Sequence, residues 1–263
     1  MRKTLNHFAR MPQSGEKIAA LTCYDASFAS LLEAAGVDLL LVGDSLGMVL
    51  HGAETTLGVT LRDMIYHTRC VAAGSKNAFI MADMPFGSYQ STPELAYRNA
   101  VRLLAAGAQI VKLEGGAVMR ETTEFLSRRG VPVCGHIGLT PQAVHQLGGY
   151  RVQGRDDESA RRLLNDAQIL VDAGASMLLL EAMPSSLAAE ITRSVGVPTI
   201  GIGAGPACAA QVLVLYDAIG IFGGKAPSFA RNFMDGASSV ADAVRRYVAA
   251  VKNGEFPGAE HSF

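Results

Sequence analysis

Several features that would place this chain in other classes of protein are scarce or missing. Only four cysteines occur among 263 residues, and no two of them form a CxxC pair. No two histidines have the HExxH or HxH spacing of common zinc sites. The formal net charge is only −1. These absences disfavour a zinc enzyme and a protein whose main partner is a nucleic acid or an acidic membrane. We expect the cysteines to be free thiols: Cys23, Cys70, Cys134 and Cys208.

Long apolar segments are also missing. No apolar stretch reaches the roughly 20 residues that cross a bilayer, and the opening MRKTLNHFARMPQSGEK contains no apolar core of an export signal. We therefore expect a cytoplasmic protein with no membrane partner. Hydrophobic residues make up 49% of the chain, which is enough for a sizeable core. The length favours one large α/β domain over residues 1–263 rather than two small domains.

The stretch at residues 38–47, DLLLVGDSLG, is an apolar run that stops at Asp44 and Ser45. A parallel strand presents a catalytic group at the mouth of a barrel or sheet in this way, although a single aspartate could equally cap the next helix. Later apolar runs end in the same manner. Their polar residues are Asp83, Lys112, Glu114, His136 and Glu181. Helix capping alone does not call for lysine, histidine and glutamate at such places.

Strand and helix patterns alternate about eight times, with no signal for an antiparallel hairpin. The predicted strands are 17–23, 39–43, 78–84, 109–113, 131–135, 176–180, 198–202 and 212–216 or slightly later. The predicted helices are a short N-terminal lead-in and 25–35, 60–74, 93–106, 121–129, 158–173, 185–195 and 237–252. A single (β/α)8 TIM barrel, of the α/β class, accounts for this order, and a doubly wound open sheet is the alternative.

Two long, glycine-rich segments, 46–60 and 138–157, interrupt the alternation. A compact domain rarely contains such loops unless they cover a site, so we expect both at the mouth of the barrel. The run GIGAG at residues 201–205 lacks the GxGxxG spacing of a dinucleotide loop. We interpret it as a tight strand-to-helix turn, where the backbone approaches a ligand or a neighbour.

In a barrel, the strand-end groups all point into one cavity. Asp44, Asp83 and Glu114 together form an oxygen-only set suited to Mg²⁺, which commonly takes one or two carboxylates and completes its shell with water and substrate. Each carboxylate alone could instead be a cap or a surface charge. Lys112 lies on the same side of its strand as Glu114 because side chains alternate with period two. Lys112 therefore indicates an anionic substrate, with Schiff-base chemistry or a simple ion pair as alternatives.

Glu181 follows an apolar run directly, so partial burial would suit it to proton abstraction. The alternative is a charge at the start of a helix. His136 could bind substrate, orient a neighbouring side chain or serve the structure alone.

Eight motifs resemble one known family in order and without a large gap, from about residue 21 to the C-terminus. They are VGDSLGMV, MIYHT, ADMPFGSYQ, VKLEGG, GHIGLTPQ, GGYRVQGR, IGIGAG and FPGAEHSF. The chain thus resembles the ketopantoate hydroxymethyltransferases of pantothenate biosynthesis. Two departures occur: Ala209 and Ala210 replace a common Asp-Gly pair, and Gly58 stands where proline is common. The first puts in doubt the role of that loop in folate contact or subunit packing.

The resemblance implies a TIM barrel that forms a homodecamer, a pentamer of dimers, and uses one Mg²⁺ per subunit with 5,10-methylenetetrahydrofolate as co-substrate. Its substrate, 3-methyl-2-oxobutanoate, would become an enolate that attacks the folate-borne methylene. The implied roles are metal binding by Asp44, Asp83 and Glu114, oxoacid binding by Asp44, Ser45, Asp83 and Lys112, and proton acceptance by Glu181.

Two other classes of function compete with this interpretation. A metal-enolate lyase or mutase on the same barrel would be expected to carry a phosphate grip or a catalytic cysteine motif, and neither is seen. A non-catalytic barrel would be expected to have lost at least one of the candidate site residues, and all are present.

Overall fold

The structure is a computed structural model that describes residues 2–11, 14–221 and 226–263. Eight parallel strands close into a barrel in which each strand pairs with the next and the last pairs with the first. The predicted (β/α)8 barrel is therefore confirmed. The strands are β1 (Ile18–Thr22), β2 (Leu39–Val42), β3 (Phe79–Asp83), β4 (Ile110–Glu114), β5 (Val133–Gly138), β6 (Met177–Glu181), β7 (Thr199–Ile202) and β8 (Ala210–Leu213).

Helices surround the barrel and occupy its two ends. They are α1 (Leu5–Arg10), α2 (Ala26–Ala34), α3 (Leu46–Val49), α4 (Leu61–Gly74), α5 (Pro93–Ala105), α6 (Arg120–Ser127), α7 (Val144–Leu147), α8 (Asp157–Asp172), α9 (Ser185–Ser194), α10 (Leu215–Ala218) and α11 (Val240–Lys252). Short 3-10 turns lie at Ala117–Met119, Pro141–Ala143 and Ala259–His261. Thr60 caps the start of α4, where it forms a capping box with Asp63.

The inside of the barrel has an apolar lower part, because alternate residues of each strand point inward. The inward set is Ile18, Ala20, Leu39, Leu41, Phe79, Met81, Ile110, Cys134, Met177, Leu179, Ile200, Ile202, Ala210 and Val212. Helix α1 closes the amino end, where Phe8 is fully buried and its ring packs edge-on against Phe79 at 5.1 Å. Because its lower part is filled, the space for a site lies at the carboxyl end of the barrel.

The N-terminal lead-in and helix α11 are both fixed to one carboxylate at the bottom of the barrel. Asp38, just before β2, is buried and accepts a hydrogen bond from the backbone N–H of Ala19 at 2.9 Å. Its second contact is with Lys3, ahead of α1, and Lys252 at the end of α11 lies 2.7 Å from its Oδ2. The lead-in and the C-terminal helix therefore close the amino end together.

The prediction for the last strand is wrong. β8 begins at Ala210, and residues 214–216 of the predicted strand lead into α10 instead. The apolar run VLVLY covers both elements, so hydrophobicity alone does not separate them. The GIGAG run also does not lead into a helix, because it connects β7 to β8 directly. The expected close approach is present: a Cβ on Gly205 would lie 2.5 Å from Cβ of Ser185.

Other details differ as well. β5 runs from Val133 to Gly138, later than predicted, because its pairing with β4 extends past Gly135 to His136 and its pairing with β6 extends to Gly138. The two long loops contain short helical segments: α3 lies in the first, and α7 with the turn at Pro141–Ala143 lies in the second.

The first family departure lies away from the mouth. Ala209 and Ala210 are buried at the amino end of β8, where Ala210 pairs with β1 and β7. Neither lines the cavity described below, so a direct contact of these two residues with folate in that cavity is not supported. The four cysteines are free, as predicted. Within the described ranges, helices are all too short or too polar to cross a bilayer.

A cluster of donors around Glu33 joins α2 to the segment before β3. Glu33 Oε2 accepts hydrogen bonds from Ser75 Oγ at 2.6 Å and from the backbone N–H groups of Lys76, Asn77 and Ala78 at 2.7 to 2.9 Å. Partial burial by itself would raise the pKa of Glu33, but these donors lower it to about 2.

We predict that Glu33→Gln lowers the free energy of unfolding at pH 7 by about 1 kcal/mol, a figure discounted for partial exposure. The folded-state pKa is about 2 against a usual value of 4.5, so the stabilisation is fully present above about pH 5 and is lost as the pH falls towards 2. Urea denaturation at several pH values measures the difference. The exposed Glu190→Gln on α9 is the control, and a pH-independent difference would contradict the assignment.

Candidate active site

A cavity of about 1,100 Å³ opens at the carboxyl end of the barrel. It lies there because the inward positions that are apolar lower in the barrel become polar at the strand ends. The lining includes every site residue predicted from the sequence: Asp44, Ser45, Asp83, Lys112, Glu114, His136 and Glu181. The predicted convergence of strand ends on one cavity is therefore observed.

Asp44 and Asp83 face each other across β2 and β3. The backbone N–H of Asp44 donates to Asp83 Oδ2 at 3.0 Å, and both side chains are buried. Gly43 precedes them because a Cβ there would lie 2.8 Å from Ser45 Oγ. Burial, together with the charges of Asp83 and Glu114, raises the pKa of Asp44 well above its usual value.

Lys112 is a buried cation among these carboxylates. Its Nζ lies 3.1 Å from Asp83 Oδ1 and 3.7 Å from Glu114 Oε1, and the side chain is only 4% exposed. Lys112 and Glu114 do share one side of β4, as the period-two argument predicts. Burial by itself would lower the pKa of Lys112, but the carboxylates of Asp83 and Glu114 raise it overall.

His136 connects Glu114 to Glu181. Its Nδ1 lies 3.4 Å from Glu114 Oε1, and its Nε2 lies 3.3 Å from Glu181 Oε2. Burial and Lys112 lower the pKa of His136, but the two glutamates raise it more, to about 9. Of the three roles considered for His136, these distances favour that of orienting a neighbouring carboxylate.

Glu181 ends β6 beside an unusual backbone conformation. The next residue, Ala182, has φ of 45°, a left-handed value rare outside glycine. Its N–H donates to the carbonyl of Ile202 at 2.9 Å, and its carbonyl accepts from Gln153 N–H at 2.9 Å. Because bonds on both sides fix this strained residue, the direction in which Glu181 enters the cavity is fixed as well.

Ser45 and the long loops complete the wall. The hydroxyl groups of Ser45 and Tyr24 are 2.9 Å apart. The first predicted loop, 46–60, contributes Met48, Val49 and Thr56, and the second, 138–157, contributes Leu139, Pro141, Tyr150, Arg151 and Val152. Both loops therefore lie at the mouth, as expected.

Gln142 and Tyr89 are central to the site and were not among the predicted residues. Gln142 Nε2 donates to Asp44 Oδ2 at 2.8 Å, and Gln142 N–H donates to Glu114 Oε2 at 2.9 Å. The Tyr89 hydroxyl donates to Gln142 Oε1 at 2.6 Å and accepts from Glu114 N–H at 2.9 Å. The signal for both was their place in the motifs GHIGLTPQ and ADMPFGSYQ.

The cavity carries an excess of buried negative charge. Asp83 Oδ1 and Glu114 Oε1 are buried without a hydrogen-bond partner, although each has a cation within 4 Å. The ionisable groups contributed by β2 to β6 are Asp44, Asp83, Lys112, Glu114, His136 and Glu181. In the ranges that the structure describes, no three His, Cys, Asp or Glu side chains are arranged to coordinate one metal ion as they stand.

Fold and site together define an α/β-barrel enzyme with acid–base groups at the carboxyl ends of its strands. A sequence model of the family described as ketopantoate hydroxymethyltransferase matches residues 2–259. The 3-methyl-2-oxobutanoate hydroxymethyltransferase of Nitrosospira multiformis is 63% identical over 263 residues, 100% of both chains. That of Thiobacillus denitrificans is 61% identical over 260 residues, 99% of both. The chain belongs to the ketopantoate hydroxymethyltransferase family.

Solved structures with this fold are more distant in sequence. A phosphonopyruvate hydrolase in complex with oxalate and Mg²⁺ aligns with a TM-score of 0.62 and 14% identity over 83% of this chain and 84% of that one. A 2,3-dimethylmalate lyase, a member of the PEP mutase/isocitrate lyase superfamily, aligns with a TM-score of 0.60 and 21% identity over 84% and 83%. At these identities the likeness shows the fold alone.

The Gln142 network yields a prediction about stability. We expect Gln142→Leu to lower the free energy of unfolding by about 2–4 kcal/mol, because Asp44, the Tyr89 hydroxyl and the Met84 carbonyl lose a buried partner. Tyr89→Phe should cost about 1–2 kcal/mol. Urea denaturation of the single and double variants measures these costs.

The double variant should cost about 1 kcal/mol less than the sum of the single variants, because both remove the same 2.6 Å hydrogen bond. Gln168→Leu, on the exposed face of α8, is the matched control and should change stability by less than about 0.5 kcal/mol. Strictly additive costs would mean that the two side chains act independently.

Proposed function

We propose that this protein transfers a hydroxymethyl group from 5,10-methylenetetrahydrofolate to 3-methyl-2-oxobutanoate and so forms ketopantoate, a step in pantothenate biosynthesis. The observation that carries the proposal is one cavity with two kinds of carboxylate. Asp44 and Asp83 lie on one side beside Lys112, and Glu181 approaches from β6 with His136 against it. The reaction is inferred from membership of the family. The residues proposed to carry it out are inferred from the separation of Asp44 and Asp83 from Glu181 within the cavity.

The residues present fit a divalent cation. Two buried carboxylate oxygens have no hydrogen-bond partner, and burial beside other carboxylates disfavours the ionised form of Asp44. A cation relieves both conditions, and a carboxylate-only set suits Mg²⁺. Asp44 and Asp83 would hold it, with Glu114 as the third predicted ligand. When bound, Mg²⁺ acts as a Lewis acid that polarises the 2-oxo group and acidifies the C3 proton of the substrate.

Lys112 and Ser45 would bind the oxoacid. The Lys112 ammonium already lies 3.1 Å from Asp83 Oδ1, so it neutralises charge next to the cation site and attracts the substrate carboxylate. It also stabilises the negative charge that develops on the oxo oxygen during proton loss. The Ser45 hydroxyl, placed by Tyr24, supplies a neutral donor on the β2 side.

Glu181 would remove the C3 proton. Its carboxylate lies at the cavity wall with 15% exposure, and the contact between its Oε2 and His136 Nε2 restricts its orientation. Proton transfer to a positioned carboxylate leaves an enolate whose carbon bonds to the folate-borne methylene, while one water molecule supplies the hydroxyl oxygen and tetrahydrofolate leaves. The loops that carry Met48 and Tyr150 lie over the cavity and exclude water from the reactive carbon.

The competing lyase or mutase chemistry has less support. The phosphonopyruvate hydrolase and the 2,3-dimethylmalate lyase share the barrel but only 14–21% of the sequence, whereas relatives at 61–63% identity are named hydroxymethyltransferases. None of the four cysteines lines the cavity in the described part of the chain.

We also propose assembly into a homo-oligomer, a decamer by family resemblance. Apolar side chains stand exposed on the barrel surface and would be buried by neighbouring subunits. The most exposed of those outside the cavity lining are Tyr66, Phe86 and Val118.

Loss of the C3 proton of 3-methyl-2-oxobutanoate into deuterated water, followed by NMR with Mg²⁺ and without folate, tests the role of Glu181. We expect wild type to exchange the proton and Glu181→Gln to exchange it about 10²–10⁴-fold more slowly, because the base is removed. Removal of Mg²⁺ with a chelator should abolish exchange. Glu190→Gln, exposed on α9, is the matched control.

Two outcomes separate the parts of this proposal. Turnover with folate in the absence of folate-free exchange would mean that deprotonation requires the second substrate. Neither exchange nor turnover by wild type would contradict the hydroxymethyltransferase function itself.

The cation site has its own test. We predict that Asp83→Asn weakens Mg²⁺ binding at least tenfold, about 1.4 kcal/mol, because a charged ligand becomes neutral. Titration calorimetry measures the affinity directly, independently of turnover. Asp235→Asn, an exposed carboxylate remote from the cavity, is the control. Equal affinity in Asp83→Asn and wild type would exclude Asp83 as a ligand.

A further inference from the structure

The cavity is much larger than the oxoacid requires. Its volume is about 1,100 Å³, whereas pockets for drug-sized ligands measure roughly 300–1,000 Å³ and 3-methyl-2-oxobutanoate has only eight non-hydrogen atoms. The groups assigned to the oxoacid and the cation come from β2 to β6. The side formed by β7, β8 and the segments after them has no assigned role.

That side has apolar and aromatic walls. Its lining residues are Ile202, Val212, Leu213, Val214, Tyr216, Phe229 and Phe263, with the polar residues Asp217 and Ser228. Asp217 is the one carboxylate on this side among the described residues. A flat, mainly apolar ligand with one polar edge matches such a surface.

Asp217 has no assigned partner in the described part of the protein. Its carboxylate makes neither a hydrogen bond nor an ion pair there, and burial raises its pKa to about 6. The short helix α10 that carries it is fixed at its start, where Leu215 N–H donates to Thr22 Oγ1 at 2.8 Å. The carboxylate is thus held in place at the cavity wall without a structural role that explains its burial.

The aromatic walls depend on a glycine of the GIGAG run. A Cβ on Gly203 would lie 3.0 Å from the rings of both Phe229 and Phe263, and the φ of Gly203 is +59°, so glycine suits both the backbone and the close approach of the two rings to the end of β7. The two rings meet edge to face, with centroids 6.5 Å apart. The carbonyl of Phe263 accepts a hydrogen bond from Ser185 N–H at 2.8 Å, which holds that ring at the mouth.

We propose that Asp217 binds the pyrimidine edge of the reduced pterin ring of the folate co-substrate, with Tyr216, Phe229 and Phe263 packed around the ring. This inference rests on the proposed function. The 2-amino group and the N3–H of a tetrahydropterin are two adjacent donors on one edge, and they match the two oxygens of a carboxylate. The ring faces are apolar enough for the aromatic walls.

This placement assigns the two substrates to opposite sides of one cavity. The oxoacid lies against β2 to β6, where Glu181 removes its proton, and the pterin lies against β7 and β8. The one-carbon unit then lies between them, where the enolate carbon can reach it. Tight packing of both substrates also keeps water from the enolate.

Binding of tetrahydrofolate to the Mg²⁺-loaded protein, measured by calorimetry, tests the proposal. We expect Asp217→Asn to weaken binding about tenfold or more, because a charged acceptor of two hydrogen bonds is lost. The analogue that lacks the 2-amino group should bind wild type more weakly by a similar factor, and Asp217→Asn should weaken it little further. Glu54→Gln, exposed on the loop after α3, is the control.

Proton exchange from 3-methyl-2-oxobutanoate without folate separates this inference from the proposed function. It should change less than twofold in Asp217→Asn, which also shows that the variant is folded. Equal tetrahydrofolate affinity in Asp217→Asn and wild type would overturn the pterin assignment alone. So would loss of proton exchange in the variant. Wild type that neither binds tetrahydrofolate nor turns over would overturn the proposed function and this inference together.

Discussion

The site depends on the burial of one ammonium group among several carboxylates. Lys112 lies within 4 Å of Asp83 and Glu114 and is almost wholly excluded from water. Each charge buried in this way carries a desolvation cost that its partners offset only in part. Such a cluster is weak evidence for stability, so a functional reason must account for it. Binding of a small anion with a divalent cation is such a reason, because both bring charges that complete the cluster.

Period-two alternation made much of this site predictable. A strand that is apolar at its lower inward positions and polar at its last one places that polar group at the barrel mouth, and this argument located Asp83, Lys112, Glu114 and Glu181 before any coordinates. The fold followed from the same pattern, since eight such strands with intervening helices close into a barrel. Strand boundaries were less accurate where glycine or a continuous apolar run concealed the end, as in β5 and at the junction of β8 with α10.

Gln142 shows why the remainder could not be predicted. It lies on a loop without periodicity, and its importance comes from contacts with Asp44 and Glu114, which are 98 and 28 residues away in the chain. Local patterns carry no information about such contacts, and glutamine is usually a surface residue. Asp217 was missed for a related reason, because a helix one turn long leaves no recognisable pattern. Both residues become visible only when the barrel closes and brings distant loops to one mouth.

The apolar packing inside the barrel and the charged groups of the site lie at opposite ends of the strands. The apolar inner layer, Phe8 and the contacts of Asp38 lie at the amino end, whereas the strained Ala182 and the carboxylate oxygens that lack a hydrogen-bond partner lie at the carboxyl end. Most of the apolar packing and the charged site groups therefore lie at different ends of the same strands. A ligand that neutralises the upper end should stabilise the whole barrel, because every strand that carries a site residue also contributes to the apolar layer below.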